Sequence, residues 1–119
     1  MGFLDLCAGS GAIGCAALAR LPDAKVYFGE LDPRHEATIL KNIRENGLDE
    51  SRADVRIGDL FEPFEGIKFD IIAANPPYLP ALRSLEPSVA TYEPAEALYA
   101  GADGLDVIRR IATTLPHHL

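Results

Sequence analysis

The residues with the clearest capacity for chemistry are Asn75-Pro76-Pro77-Tyr78, which follow the apolar run at 69–74. That run is too short for a globular helix and indicates a buried strand, which the two prolines end because neither can donate a ladder hydrogen bond. Asn75 is therefore predicted at the carboxyl end of a strand, where open α/β sheets bind their ligands. Its amide, the prolyl carbonyls and the Tyr78 ring could hold a planar amide or amidine by its NH₂ group. The same residues also fit an ordinary proline-rich loop with a capping asparagine.

A second set of such residues lies in and after a glycine-bearing turn. Gly9, Gly11 and Gly14 satisfy the pattern G-x-G-x-x-G, and Glu30 lies about twenty residues after the first glycine. The glycines let a ligand approach the backbone, and a carboxylate that ends a strand can accept hydrogens from both hydroxyls of a ribose. Adenosine-bearing cofactors of several kinds meet these requirements.

Two aspartates narrow the choice of ligand. Asp5 precedes the glycine turn, where its charge would repel the pyrophosphate of a dinucleotide but would suit an ammonium or sulfonium. Asp59 follows the third predicted strand and is well placed for an adenine amino group. Each acid also has a structural explanation, as an acceptor for the glycine turn, a cap for the next turn, or, for Glu30, a solvated strand end. Their shared register with the turn and with Asn75 favours a ligand site.

The elements that position these residues alternate along the chain, which predicts an α/β fold with a parallel sheet flanked by helices. Ser10 is the predicted N-cap of the first helix and Asp32 that of the second. The short connection at 59–68 predicts one irregular turn, and the long loop at 79–102 is of the functional or disordered kind. The strands are predicted at 2–6, 25–30, 54–58 and 69–74, and the helices at 12–21, 33–46 and 105–115.

The length, charge and cysteine content disfavour several classes of protein. The 119 residues make one domain at most, and their net charge of −7 argues against a surface that neutralises many phosphates. No apolar run approaches membrane-spanning length, and no charged-then-apolar leader opens the chain. Cys7 and Cys15 lie in no metal-like spacing and are interpreted as small buried apolar residues, so we expect no metal and a reducing cytoplasm.

Together, these motifs resemble those of class I S-adenosylmethionine-dependent methyltransferases, and more narrowly the HemK/PrmC group of protein N5-glutamine methyltransferases. The resemblance covers nearly the whole chain. It implies a Rossmann-like domain at 1–119 that is truncated, with strands one to four present, later strands missing and the family's N-terminal substrate-recognition domain absent. It is carried by residues 4–11, Glu30, Asp59, Asn75-Pro76-Pro77-Tyr78, 92–98 and 100–106.

The resemblance also implies a role for each site residue, with S-adenosylmethionine as cofactor. Asn75 and the Pro76 carbonyl would accept hydrogens from the glutamine amide, with Pro77 and Tyr78 packed against the substrate. Cys7 stands where the family usually has glycine, and it would be strained if its φ were positive. The implied cofactor contacts are Asp5, Cys7, Ala8, Gly9 and Gly11 around the methionyl part, Glu30 and Leu31 near the ribose, Asp59 and Leu60 at the adenine, and Asn75.

The implied partner is a protein substrate, first the Gly-Gly-Gln loop of a peptide release factor and next a ribosomal protein. We expect no membrane, no nucleic acid as direct substrate, and self-association through the bare edge of the fourth strand.

Three alternatives stay open. Amino methyltransferases of RNA and DNA share the Asn-Pro-Pro-Tyr element, a nicotinamide-dependent dehydrogenase would leave Asp5 and Asn75 without a role, and a non-catalytic module would bind no adenosyl ligand.

Overall fold

A four-stranded parallel sheet forms the centre of the described structure, a computed structural model that describes residues 1–75 and 106–119. Residues 1–75 and 117–119 belong to one compact unit, which holds the sheet. The described helix α3 belongs to a second unit at 76–116. The elements of the first unit are β1 (Gly2–Leu6), α1 (Ala12–Arg20), β2 (Lys25–Glu30), α2 (Arg34–Glu45), β3 (Ala53–Ile57) and β4 (Ile71–Ala74), and α3 spans Asp106–Thr114.

The strand order β3-β2-β1-β4 determines where a ligand can bind. The chain moves from β1 outward to β3 and then returns to place β4 on the other side of β1. Leu6 lies beside both Gly29 and Ala74 in the sheet register. Because all four strands are parallel, their carboxyl ends meet at one edge of the sheet. The order reverses between β1 and β4, and such a reversal opens a crevice at that edge.

Helices α1 and α2 cover one face of the sheet, and a glycine allows α1 to lie close to it. The core on this face includes Phe3, Val26 and Phe28 from the strands. A Cβ atom on Gly14 would overlap the ring of Phe28. Gly14 is therefore the close-packing glycine of the G-x-G-x-x-G pattern, and it sets the distance of α1 from the sheet.

The other face carries a cluster of aromatic rings that the sequence pattern did not predict. Tyr27 meets Phe69 edge-on with 5.1 Å between ring centroids, and Phe61 stacks on His118 at 4.4 Å. The Phe69 N–H donates to the carbonyl of His118, and His118 Nδ1 lies 2.8 Å from the carbonyl oxygen of Ile67. These contacts cover the sheet between β3 and β4, where a full crossover helix would otherwise lie.

Arg52 fastens the end of α1, a contact that was also not predicted. Its guanidinium donates to the carbonyls of Leu18, Leu21 and Ala24 at 2.8–2.9 Å. Carbonyls in and after the last turn of a helix need such donors, and a planar guanidinium can serve several at once.

Most predicted elements are confirmed, with shifts at their ends. The connection after β3 contains one short 3₁₀ turn, Glu62–Phe64, as predicted. The predicted N-cap Ser10 is wrong, because Gly11 occupies that position with φ of 84° and has no side chain that could cap the helix. Strand β4 begins at Ile71 instead of residue 69, because the Phe69 N–H bonds outside the sheet. The predicted loop at 79–102 lies outside the described residues.

Two absences can be stated for the part of the chain that the structure describes. No described helix has the length and apolar character needed to cross a membrane. Residues 1–75 and 106–119 contain no group of three histidine, cysteine, aspartate or glutamate side chains that could hold a metal ion.

Candidate functional site

The carboxyl ends of the strands bring the predicted acids around one point. Cys7 follows β1, and its thiol is close enough to three carboxylates to be affected by their charge. Burial, and then the charges of Glu30, Asp5 and Asp59 in that order, raise the pKa of Cys7 to about 12. These acids come from three neighbouring parallel strands whose carboxyl ends lie at one edge of the sheet. At that pKa the thiol is neutral and is a poor nucleophile.

The turn after β1 is built from residues in the left-handed region of backbone space. Cys7, Gly9 and Gly11 have φ values of 59°, 59° and 84°. The Ala8 N–H donates to the Gly29 carbonyl at 2.9 Å, which attaches the turn to β2. Because its φ is positive, Cys7 is strained as predicted for that case. A residue with a Cβ atom loses about 1–2 kcal/mol when it adopts this conformation.

The two carboxylate oxygens of Asp5 differ in their hydrogen bonding. Its side chain is 1% exposed, and Oδ2 accepts the Gly14 N–H at 2.9 Å. This N–H belongs to the first turn of α1, so Asp5 caps the helix from the strand beneath it. Oδ1 is buried and has no hydrogen-bond partner. Burial raises the pKa of Asp5 to about 6, with Gly14 lowering it and the charge of Glu30 raising it further.

Glu30 ties the glycine turn to the end of β2. Its Oε1 accepts the Gly9 N–H at 2.9 Å, and its Oε2 accepts the Asp32 N–H at 2.8 Å. A carboxylate offers about four acceptor positions, so this arrangement fixes the group and leaves acceptor capacity for ribose hydroxyls. Glu30 is 9% exposed, which rules out the interpretation as a solvated strand end.

Two residues that follow Glu30 join the site, and sequence reasoning assigned neither to it. His35 Nδ1 lies 3.0 Å from Glu30 Oε2. Asp32 was predicted only as the N-cap of α2, a position that Pro33 occupies in the structure. It does accept the Arg34 N–H at 2.9 Å, and hydrogen bonds from Arg34 lower the pKa of Asp32 to about 2. The available signal was the position of His35 in the first turn of the helix that directly follows the strand-end acid.

The predicted adenine contacts lie at the ends of β2 and β3. Leu31 is 53% exposed, whereas Asp59 and Leu60 are half-buried. The Gly58 N–H donates to the Glu30 carbonyl at 2.9 Å, which holds the two strand ends together. Leu60 has φ of 51°, an uncommon value for a leucine, and such backbone outliers concentrate at binding sites.

Asn75 is the described member of the predicted catalytic group. It follows β4 directly and is exposed, at the edge where the other strand ends meet. Its strand lies beside β1, so Asn75 and Asp5 flank the reversal in strand order. Pro76, Pro77 and Tyr78 lie outside the described residues.

Comparison with known proteins points to methyltransferases. A family described as Conserved hypothetical protein 95 matches residues 1–102. A release factor glutamine methyltransferase of Geobacter sulfurreducens is 41% identical over 98% of this chain and 40% of its own length. A ribosomal protein uL3 glutamine methyltransferase of Bradyrhizobium diazoefficiens is 40% identical over 98% of this chain and 36% of its own length. The chain therefore spans about two fifths of these relatives.

A solved structure gives the same fold. The crystal structure of a methyltransferase from Pyrococcus furiosus matches with a TM-score of 0.63 at 18% identity, over 98% of this chain and 49% of the other. This likeness confirms the predicted Rossmann-like arrangement of the four parallel strands.

Proposed function

We propose that this chain, which belongs to the family described as Conserved hypothetical protein 95, forms part of an S-adenosylmethionine-dependent protein glutamine methyltransferase. Relatives at about 40% identity confirm its resemblance to HemK/PrmC proteins. The reaction would transfer a methyl group from the sulfonium of S-adenosylmethionine to the side-chain amide nitrogen of a glutamine. S-Adenosylhomocysteine would be the leaving group, and the amide would lose its proton after the transfer. The observation that carries this proposal is the buried, unpartnered oxygen of Asp5, which lies on the strand that pairs with the strand leading to Asn75.

The residues present fit S-adenosylmethionine. A buried carboxylate oxygen without a hydrogen-bond donor is costly unless a cationic or donating group satisfies it, and the sulfonium and ammonium of this cofactor are such groups. Gly9 and Gly11 would let the methionyl part approach the backbone beside Asp5, where Cys7 and Ala8 line the turn. Glu30 would hold the ribose, and the adenine would lie with Leu31, Asp59 and Leu60. When bound, the cofactor supplies an electrophilic methyl group on sulfur.

Asn75 would supply the other half of the chemistry. An amide nitrogen is a poor nucleophile because its lone pair is delocalised into the carbonyl. If the Asn75 side chain and the Pro76 carbonyl accept its two hydrogens, pyramidalisation is favoured and the lone pair is aimed at the methyl group. Pro77 and Tyr78 would pack against the substrate side chain. Catalysis then consists of positioning and electrostatics, and no general base is needed before the transfer.

The substrate we propose is a translation protein in the cytoplasm. The relatives above are named for release factor and for ribosomal protein uL3, and the net charge of −7 disfavours a nucleic-acid substrate. We rank the release factor first. The assay offers labelled S-adenosylmethionine with release factor, ribosomal protein or RNA to the full-length protein. Label in the RNA alone would replace this proposal with an amino methyltransferase of nucleic acid.

Two further expectations remain proposals. Residues 1–119 would be the cofactor-binding part of a longer protein whose recognition domain lies elsewhere, in keeping with the two-fifths coverage of the relatives. Self-association would use β4, which pairs only with β1 among residues 1–75 and 106–119 and leaves Ile71 40% exposed. Sedimentation of the full-length protein as a monomer would remove the second expectation.

The experiment for Asn75 separates chemistry from cofactor binding. Replacing Asn75 by Ala in the full-length protein should lower the methylation rate by at least 100-fold, about 2.7 kcal/mol, as loss of one oriented polar group in an active site does. Affinity for S-adenosylhomocysteine should stay within about threefold, because Asp5 and Glu30 are intact.

Asn46→Ala is the matched control for this change. Asn46 caps the far end of α2, where its side chain donates to the Asn42 carbonyl. The control should methylate at the parent rate. An Asn75→Ala protein that turned over as fast as the parent would remove Asn75 from the mechanism.

A further inference from the structure

A histidine that the proposed reaction does not use lies against the ribose-binding acid. His35 is the second residue of α2, and its Nδ1 is 3.0 Å from Oε2 of Glu30. The histidine side chain is 31% exposed, but Nδ1 itself is buried and has no hydrogen-bond partner. At this distance, a small rotation of the ring would align Nδ1 for a hydrogen bond to the carboxylate. Hydrogen bonds in a binding site often tighten only when the ligand is present.

The contacts of Glu30 define what a donor at this position would do. Its two oxygens each accept one backbone N–H, from Gly9 on one side and Asp32 on the other. These two bonds hold the ends of the carboxylate but leave acceptor positions on both oxygens. A further donor at Oε2 would fill the second acceptor position of that oxygen. The acceptor position of Glu30 that is still free would then be on Oε1, on the side of the glycine turn.

The acceptors around the ring favour an N–H group at Nδ1 over a lone pair there. Glu30 on β2 and Asp32 in the following loop both lie close to the ring, since the charge of His35 contributes to the lowered pKa of Asp32. A lone pair on Nδ1 directed at a carboxylate oxygen 3.0 Å away would be repelled, whereas an N–H would be attracted.

We propose that His35 is a positioning residue for the cofactor ribose, donating from Nδ1 to Oε2 of Glu30 so that the free acceptor position of Oε1 takes a ribose hydroxyl. The assignment rests on the proposed function, because it requires an adenosyl ligand at this edge of the sheet. His35 would not touch the reacting atoms. Its effect would therefore fall on cofactor affinity and leave the rate at saturating cofactor unchanged.

The test is calorimetric titration of the full-length protein with S-adenosylhomocysteine and with its 2′-deoxy analogue. His35→Ala should weaken binding of S-adenosylhomocysteine about tenfold, as expected for one hydrogen bond to a charged group. The change should be much smaller for the analogue, which lacks a ribose hydroxyl. In methylation assays, the KM for S-adenosylmethionine should rise by a similar factor while kcat stays within about twofold of the parent.

Three further variants sharpen the comparison. His35→Asn places an amide N–H near the position of Nδ1 and should bind within about threefold of the parent. His35→Gln places its donor one bond further out, so it should bind as weakly as the alanine variant and can replace it if that variant does not fold. Lys41→Ala, on an exposed part of the same helix, should bind like the parent.

The outcomes separate this assignment from the function on which it rests. Unchanged affinity in both His35→Ala and His35→Gln would overturn it, as would an equal loss for both ligands, which would make the role structural. A parent protein that binds no S-adenosylhomocysteine would overturn the proposed cofactor and this assignment together. A parent that binds it without methylating glutamine would remove only the proposed substrate, and the ligand comparison would still decide the role of His35.

Discussion

At the scale of single residues, Asp5 shows how one carboxylate can serve the fold and a ligand. One oxygen caps α1 through Gly14, and the other is buried without a partner. The ligand-free protein therefore holds a desolvated negative charge at neutral pH. That charge is unfavourable for stability, and the same property makes the position attractive to a cation.

The pKa of Asp5 leads to a prediction about stability. Because folding raises this pKa from 3.8 to about 6, the folded state binds more protons than the unfolded state between these values. The contribution of Asp5 is thus fully present below pH 4 and is lost as the pH rises through 6. The free energy of unfolding of the parent minus that of Asp5→Asn should fall by about 2–3 kcal/mol between pH 4 and pH 7.

Urea unfolding of both proteins across this pH range is the measurement. Asparagine keeps the volume of the side chain and does not titrate in this pH range. Subtracting the free energy of unfolding of the variant therefore removes the contribution of all other titrating groups. If the free energies of unfolding of the two proteins change with pH in the same way, folding does not raise the pKa of Asp5.

Cys7 is the second residue with a measurable cost. Its φ of 59° is one that glycine adopts without penalty and that any residue with a Cβ atom resists. Cys7→Gly should therefore be more stable than Cys7→Ala by about 1 kcal/mol, the reverse of the usual order of the two residues. Thermal unfolding of the two variants compares them directly. A more stable alanine variant would mean that this turn does not hold a left-handed backbone in solution.

At the scale of elements, close contact between α1 and β2 aligns the two strand ends that form the site. The Glu30 carboxylate bonds to Gly9 at the turn, and Gly14 lies against Phe28 beneath the helix. A shift of α1 away from the sheet would therefore also move the glycine turn that precedes it. Packing of α1 and the proposed cofactor binding would be coupled, because the same helix start would take part in both.

Gly14→Ala tests this coupling because propensity and packing predict opposite signs. In an exposed helix the change would stabilise by about 1 kcal/mol. Here the new methyl group overlaps the Phe28 ring, so we expect a loss of about 1–3 kcal/mol. The double variant Gly14→Ala/Phe28→Leu should lose less than the sum of the two single changes. Strict additivity in a double-mutant cycle of unfolding free energies would contradict the contact.

At the scale of the whole molecule, the proposed site lies at an edge shared by four strands, so ligand binding there should stabilise the sheet as a unit. S-Adenosylhomocysteine at 100 times its dissociation constant should add about 2.7 kcal/mol to the free energy of unfolding. NAD at the same concentration should add little, because its pyrophosphate would approach the Asp5 charge. The unfolding temperature with each ligand gives the result, and a larger shift with NAD would favour the dehydrogenase alternative.

The sequence alone determined the order of elements, the parallel sheet, and the residues at its carboxyl edge. These follow from local rules: apolar runs of strand length, glycines at a turn, and a polar residue at or near the carboxyl end of each strand. Asp5, Glu30, Asp59 and Asn75 could be placed at one edge without coordinates, because parallel strands all end on the same side.

The tertiary structure decided which partner each side chain meets. Contacts between elements determine that Asp5, and not Ser10, caps α1, and that His35 approaches Glu30. They also determine that Arg52 binds the carbonyls at the end of α1. The sign of φ at Cys7 depended likewise on the attachment of the turn to β2. Periodicity and spacing describe one element at a time, whereas hydrogen bonds across elements depend on how closely those elements pack.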